Sequence, residues 1–575
     1  MRGSLLPLFP SLRAALALAL AVTAPLPAFA QDSRGLSGAY LAARAAEREN
    51  DFDAAARYYG RALLRDPRNP AILEKTVLAH LGQGNLTRAV PVARTLRQTG
   101  SDSQIGTLAL VADQIAREDW DAVLNDLSAG MTVGPLIDGL IKGWARLGAG
   151  DADGAMDAFD DVSETTGLSA FGLYHKALAL AVEGDHGAAE DVFAREDGQI
   201  LARTRRGAVA RAQVLSQLGR NDEALALIAE GFGQTDAPVL AALRDRLDAG
   251  ETVPFTLVEN ARDGAAEAFH SVAAALDREA SDDYTLLYAR IAEALDESHV
   301  DAILLAGDLL ERLERYDLAQ RAYDRVPSTH PAFHVAEIGR AEALLSSGQE
   351  DRAVEVMDRL AETHGDIASV HVERGDMLRG LERYDAASEA YDAAIAMLGA
   401  PRPEHWIVYF TRGITHERED RWPEAEADFR TALELNPGQP SVLNYLGYSL
   451  VDMNMQLEEA LEMIEEAVAA RPDSGHIVDS LGWALYRLGR YDEAVGHMER
   501  AAELLPVDPI VNDHLGDVYW AVGREIEARF QWHRALSFDP EPEEAERIRR
   551  KLEVGLDAVL AEEGAPALEM AGDDG

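Results

Sequence analysis

The chain predicts an all-α superhelical solenoid of antiparallel helix pairs, and three observations carry that prediction. Gly413, Gly447, Gly482 and Gly516 recur 34, 35 and 34 residues apart. Ala425, Ala460, Ala494 and Ala528 recur at 35, 34 and 34. Pro437, Pro472, Pro506 and Pro540 follow at 35, 34 and 34. Three residue types holding one register over four units mark a repeat array, not several unlike domains.

Each position has a physical reason. The glycine lies mid-way along a first helix, where a missing Cβ lets a second helix approach. The alanine sits at the matching contact on the second helix. The proline cannot continue that helix and opens the next connection. Turns such as Leu488-Gly489-Arg490 and Val522-Gly523-Arg524 place glycine where the first helix ends. Apolar residues recur at helical spacing in both partners, as in Val478, Leu481, Leu485 and Leu488, then Ala494, Met498 and Ala501.

Along the chain, Arg2 and Arg13 give a positive stretch ahead of the apolar run Ala14 to Val22, and Ala28-Phe29-Ala30 has the small-x-small form of a cleavage site. Residues 1–30 therefore predict a signal peptide cleaved after Ala30 and a periplasmic product. The apolar run is about nine residues where a span needs about 20, so no membrane anchor is expected. No later stretch is apolar enough to be transmembrane. Residues 31–238 read as a degenerate helix-pair array, with Ala55, Tyr59, Ala62 and Pro67 holding part of the register. Residues 239–265, which include Gly250-Glu-Thr-Val-Pro254, break it and predict an irregular hinge. Residues 266–542 form the regular array, interrupted at Gly399 to Pro403. Residues 543–560 predict one amphipathic capping helix, and 561–575 a disordered acidic tail.

The units Leu481-Gly482 … Tyr491 … Ala494 … Ala501 … Pro506 and Leu515-Gly516 … Ala528 … Trp532 … Ala535 … Pro540 resemble the tetratricopeptide (TPR) repeat. About thirteen units fit between Ser37 and Glu541. Asn444-Tyr-Leu-Gly447-Tyr, Asp479-Ser-Leu-Gly-Trp483 and Asp513-His-Leu-Gly516 further resemble bacterial envelope TPR proteins. Those include lipoprotein adaptors that deliver substrates to a carboxyl-terminal processing protease. This chain has no cysteine at which to be lipidated.

Composition excludes much else. The 575 residues carry 100 acidic and 54 basic side chains, a formal charge of −46, which argues against nucleic acid as the partner. With no cysteine there are no disulfides, thiolate metal sites or thiol nucleophiles. No GxxxxGK[ST], HExxH or GxSxG motif occurs. Gly148-Ala-Gly150-Asp-Ala-Asp153-Gly154 falls short of both a phosphate loop and a calcium loop, and reads as a turn between helices. His330 and His334 read as a surface pair. No enzyme activity, cofactor or metal is expected. The acidic coat favours a monomer and would steer basic partners.

The TPR resemblance implies that first helices line a concave groove. Carried onto the last three units, it places Asn444, Asp479 and Asp513 in equivalent positions. Tyr448, Trp483 and Asp517 follow one turn on, then Tyr486 with Arg487, and Trp520. Aromatic and arginine side chains anchor partners, and Asn or Asp can hold an extended peptide by its backbone. The same tryptophans could instead pack as core. Aromatic faces beside carboxylates would also suit sugar rings, so a polysaccharide-binding or export component is the alternative to a protein-binding scaffold or adaptor. A glycosidase would need carboxylates facing across a cleft, whereas repeat spacing stacks them along one wall.

Overall fold

The computed structural model describes residues 36–195, 204–232 and 238–564. The expected signal peptide and nearly all of the expected acidic tail lie outside them. Among the described residues there are helices and no strands. They fall into two compact units that part at Val356 and Met357.

The first unit opens with five pairs: α1 (Leu36–Arg48) and α2 (Phe52–Leu63), α3 (Pro70–Gly82) and α4 (Leu86–Gln98), α5 (Gln104–Ala116) and α6 (Trp120–Ser128), α7 (Pro135–Gly148) and α8 (Ala152–Ser163), α9 (Ser169–Val182) and α10 (His186–Phe193). Second helices start on aspartate or asparagine caps: Asp51, Asn85, Asp119, Asp151 and Asp185 each accept a backbone N–H from the first turn. The Gly148–Gly154 stretch is thus a capped inter-helix turn.

Next come α11 (Arg205–Gln217), α12 (Asn221–Phe232) and α13 (Pro238–Asp248), then α14 (Ala261–Leu276), α15 (Asp282–Leu295), α16 (Val300–Arg312), α17 (Tyr316–Tyr323), α18 (Phe333–Ser346) and α19 (Glu350–Thr363), whose second half belongs to the other unit. His334 is buried inside α18, so the two histidines are not the surface pair that their spacing suggested.

Residues 239–265 do not mark the parting of the units. Residues 238–248 are helical, and the following extended strip is held by side chains of α11. Ser216 Oγ accepts the Val253 N–H at 2.8 Å, Gln217 donates to the Val253 carbonyl at 2.7 Å, and Gln213 accepts the Thr256 N–H at 3.1 Å. Val253 and Val258 are buried. A Pro- and Gly-containing segment reads as a breaker locally, but side chains from an earlier helix satisfy its backbone.

A second departure concerns the inner wall of this unit. Helix α14 packs on α7 and α9, and α15 packs on α3 and α5. All four are first helices, so the wall they would present as a groove is covered. Both covering helices are buried nearly all round in their middles: Ala265, Ala266, Ala268 and Phe269 in one, Leu286, Leu287, Ala289 and Ile291 in the other, with Glu267, Arg290 and Glu293 buried among them as paired charges. At Gly264 a Cβ would stand 2.3 Å from the Trp144 ring, so only glycine lets α14 settle onto α7.

The second unit contains α20 (Ala368–Gly380) and α21 (Tyr384–Leu398), α22 (Trp406–Arg418) and α23 (Trp422–Leu435), α24 (Pro440–Asp452) and α25 (Leu457–Ala470), α26 (Gly475–Arg487) and α27 (Tyr491–Leu504), α28 (Pro509–Ala521) and α29 (Glu525–Ser537). The repeat glycines do what their register implies. A Cβ would fall 2.7 Å from Phe429 at Gly413, 2.7 Å from Ile464 at Gly447, 2.2 Å from Met498 at Gly482 and 2.4 Å from Trp532 at Gly516. The expected single capping helix is two, α30 (Pro542–Val554) and α31 (Leu556–Glu562), broken at Gly555 with φ of 86°. That glycine lies against the Trp520 ring.

One glycine of the first unit stands against the backbone of the preceding helix. A Cβ at Gly172 would meet the Ser163 backbone nitrogen at 2.5 Å and the Phe159 carbonyl oxygen at 2.6 Å. Helix propensity alone would favour alanine there by about 1 kcal/mol. Backbone cannot rotate away, so overpacking of about 1–3 kcal/mol outweighs that gain, and Gly172→Ala should cost a net ~1–2 kcal/mol in thermal unfolding. A variant that melts at or above wild type would refute this.

Candidate functional site

The candidate groove is built on α24, α26 and α28, the first helices of the last three full pairs. Each buries an apolar stripe: Val442, Leu446 and Leu450, then Val478, Leu481 and Leu485, then Val511, Leu515 and Val518. Residues one step off those stripes face the inner wall.

The centre of the wall is a bonded stack. The Asp479 carboxylate lies 3.0 Å from Nδ1 of His514 on the next first helix. The Trp483 ring stacks on His514 with centroids 4.0 Å apart and planes 13° from parallel, and on Tyr486 at 4.8 Å and 17°. Arg487 donates to the Asp452 carbonyl at 3.4 Å, linking α26 to α24. Burial pushes the Tyr448 phenol upward, and the charges of Asp479 and Asp452 add to that.

Burial by itself would lower His514, but Asp479, through charge and hydrogen bond, with Asp513 and Asp517 behind it, holds the imidazole above its ordinary value. Because the folded-state value is the higher one, the pair contributes fully below about pH 6.5 and fades as pH rises through the raised value. His514 should therefore titrate above 6.5 in an NMR pH series, and Asp479→Asn should bring it down. Titration at or below 6.5 in the wild type would contradict the pairing.

The far end of the wall is closed. Lys551 of α30 is wholly buried and donates to Asp513 at 2.7 Å and to both oxygens of Asp517 at 2.7 Å. Asp517 also accepts from Trp532 Nε1 at 2.9 Å. Trp520 donates to Asp557 at 2.9 Å and packs on Trp532 with centroids 5.4 Å apart. Arg529 lies over its ring.

The nine residues expected to line the groove therefore divide. Asn444, Tyr448, Trp483, Arg487 and Asp513 are half-buried on the wall. Asp479, Tyr486, Asp517 and Trp520 are buried. Asp517 and Trp520 are not groove anchors: their partners are the terminal helices, which the repeat register does not encode. Tyr486 is sealed by the Trp483 ring and the Tyr491 ring, 5.4 Å away. His514 and Lys551 are the residues that sequence reasoning missed. The signal for Lys551 was present, since it interrupts the apolar face carrying Ile548 and Leu552.

Three polar atoms on the wall are buried and have no partner among the described residues: Asn444 Oδ1, Trp483 Nε1 and Asp513 Oδ1, the last on the carboxylate whose other oxygen takes Lys551. They lie on three successive first helices, at equivalent or adjacent turns. An extended backbone offers N–H groups for the two acceptors and a C=O for the donor. Buried polar groups left unpaired are costly, about 1–3 kcal/mol each, so a ligand that satisfies them gains by it.

A family model described as the tetratricopeptide repeat matches residues 40–103, 304–367, 372–440 and 446–509. A TPR repeat-containing protein of Pseudomonas aeruginosa is 28% identical over 207 residues, 36% of this chain and 34% of that protein. The peroxisomal targeting signal receptor of Candida albicans is 22% identical over 207 residues, 35% of each chain. The alignments thus span about a third of the length of these curated relatives. Among solved structures, the Cut9–Hcn1 hetero-tetramer of APC/C aligns with 90% of this chain and 96% of its own at 14% identity and a TM-score of 0.37. Yeast Tom70 aligns with 92% and 98% at 16% identity and a TM-score of 0.33. The matched segments fall in both compact units, so the chain carries tetratricopeptide repeats in each.

Proposed function

We propose that the protein is a non-enzymatic scaffold or adaptor that holds an extended segment of a protein partner on the wall formed by α24, α26 and α28. The carrying observation is the run of unpaired polar atoms at Asn444, Trp483 and Asp513 beside the half-buried Tyr448 and Arg487. The helix-pair repeat supplies a rigid wall on which such atoms keep a fixed spacing.

The setting we propose is the periplasm, after cleavage behind Ala30, with a role in envelope assembly, proteolysis targeting or cell-wall remodelling. The composition of residues 1–30 and the absence of cysteine support an exported chain. No described helix is long and apolar enough to cross a membrane. The formal charge of −46 supports a monomer that attracts basic partners at low salt. The polysaccharide reading loses its platforms, because Trp483 is already stacked on two rings and Trp520 is buried.

A photo-crosslinking amino acid placed at Tyr448 tests the reading in envelope extracts, against the same group at the exposed Ile526. Defined protein adducts are expected from the first position and none in common with the second. Identical adducts from both would defeat the groove assignment.

A further inference from the structure

The first unit holds a cavity of about 650 Å³ between α9, the start of α11, α14, α16, α17 and α18. It lies at the edge of the inner wall that α14 and α15 otherwise cover. Its walls are apolar, with Phe171, Leu304, Leu305 and Ile338 half-buried and Val335 exposed. Its charged groups are unequal in availability. Arg206 is bound to Glu267 at 2.7 Å and to Asp301 at 2.6 Å, and Arg205 also pairs with Asp301. Neither arginine is left to meet an anion.

The free charge is negative and sits at the rim. Asp277 and Asp308 share Arg312, whereas Glu342 has no ion-pair partner among the described residues. Burial raises Glu342, and the charge of Asp308 raises it further. Nearby Glu311 is pushed up to about 7, by burial first and by Glu342 and Asp308 in addition. Carboxylates crowded beside an apolar hollow repel one another, and a bound cation would relieve them. A cavity of this size accommodates an apolar side chain and its neighbours.

We propose that this cavity is a second binding site, independent of the α24–α28 wall, for a basic and apolar peptide segment. The segment inserts a leucine-like side chain between Phe171, Leu304 and Ile338 and sets a lysine or arginine against Glu342. The class follows from complementarity: apolar walls select the side chain, committed arginines exclude an acidic partner, and the unpaired Glu342 carboxylate selects the cation.

The probe is a short fluorescein-labelled peptide of alternating leucine and lysine, with a leucine–glutamate peptide of equal length as control. Anisotropy is read on the full chain and on Ala274→Trp, which fills the cavity from an exposed wall position without changing charge. Binding of the lysine peptide alone is expected, weakened about tenfold or more in Ala274→Trp and in Glu342→Lys, and unchanged in Trp483→Ala. Equal binding of the glutamate peptide would overturn the proposal. So would unchanged affinity in Ala274→Trp, or loss in Trp483→Ala instead. Should Ala274→Trp fail to fold by circular dichroism, Glu342→Lys decides in the same way.

Discussion

Replacing Lys551 by methionine should unfold the C-terminal end of the second unit well before the rest, at a cost of about 3–5 kcal/mol. Lys551 is wholly buried, and its ammonium is the counter-charge for Asp513 and Asp517, the latter 1% exposed. Methionine keeps the stem and removes the charge, leaving two carboxylates side by side without their buried ammonium. Arg547 stands 3.7 Å from Asp517 and 3.9 Å from Asp513 and offsets only part of the loss. The indoles of Trp520 and Trp532 lie in the same cluster, so their fluorescence reports the transition directly. Lys551→Met with Asp513→Asn and Asp517→Asn should recover most of the stability, because no buried charge is then unpaired. If the single variant denatures like wild type, the terminal pair is not held by this contact.

The second large effect is expected at Glu267, in the first unit. Its side chain is 1% exposed and accepts from Tyr174 Oη at 2.8 Å, Arg206 Nε at 2.7 Å and His299 Nε2 at 3.0 Å. Glu267→Leu strands all three donors and should cost about 3–5 kcal/mol. Glu267→Gln keeps an acceptor and should cost about 1.5–3 kcal/mol. Burial alone would raise this carboxyl, but Arg206 first, then His299, hold it well below the usual range. A lowered folded-state value means that the stabilisation is present above about pH 4.5 and drains away as pH falls below it. The gap between wild type and Glu267→Leu in urea unfolding should therefore narrow below that pH. A gap that stays constant into acid would refute the assignment.

These two sites also explain what the sequence could and could not disclose. The repeat glycines were readable because each answers a contact made within about half a unit, such as Gly516 against Trp532 or Gly413 against Phe429. Spacing along the chain and spacing in the fold are then the same information. The groove was readable only where that held. Asn444, Tyr448 and Trp483 reach the wall because their helix register puts them there. Trp520 and Asp517 share that register, yet partners 37 and 34 residues further on bury them.

The first unit makes the same point over longer distances. Nothing in the local pattern of residues 239–265 announces that Gln213, Ser216 and Gln217 will bind their backbone. Nor does it announce that α14 will lie on α7 and α9, so that Tyr174 meets Glu267, 93 residues later.

Periodicity alone settles the helix pairs, their contacts and their order, since each is a matter of which residues lie one or two turns apart. Which stretch of inner wall stays open was settled by folding, because that depends on apolar and charged surfaces meeting from distant parts of the chain. Helix α14 and Lys551 fill their places for the same reason: each buries groups that had no neighbour in sequence able to satisfy them.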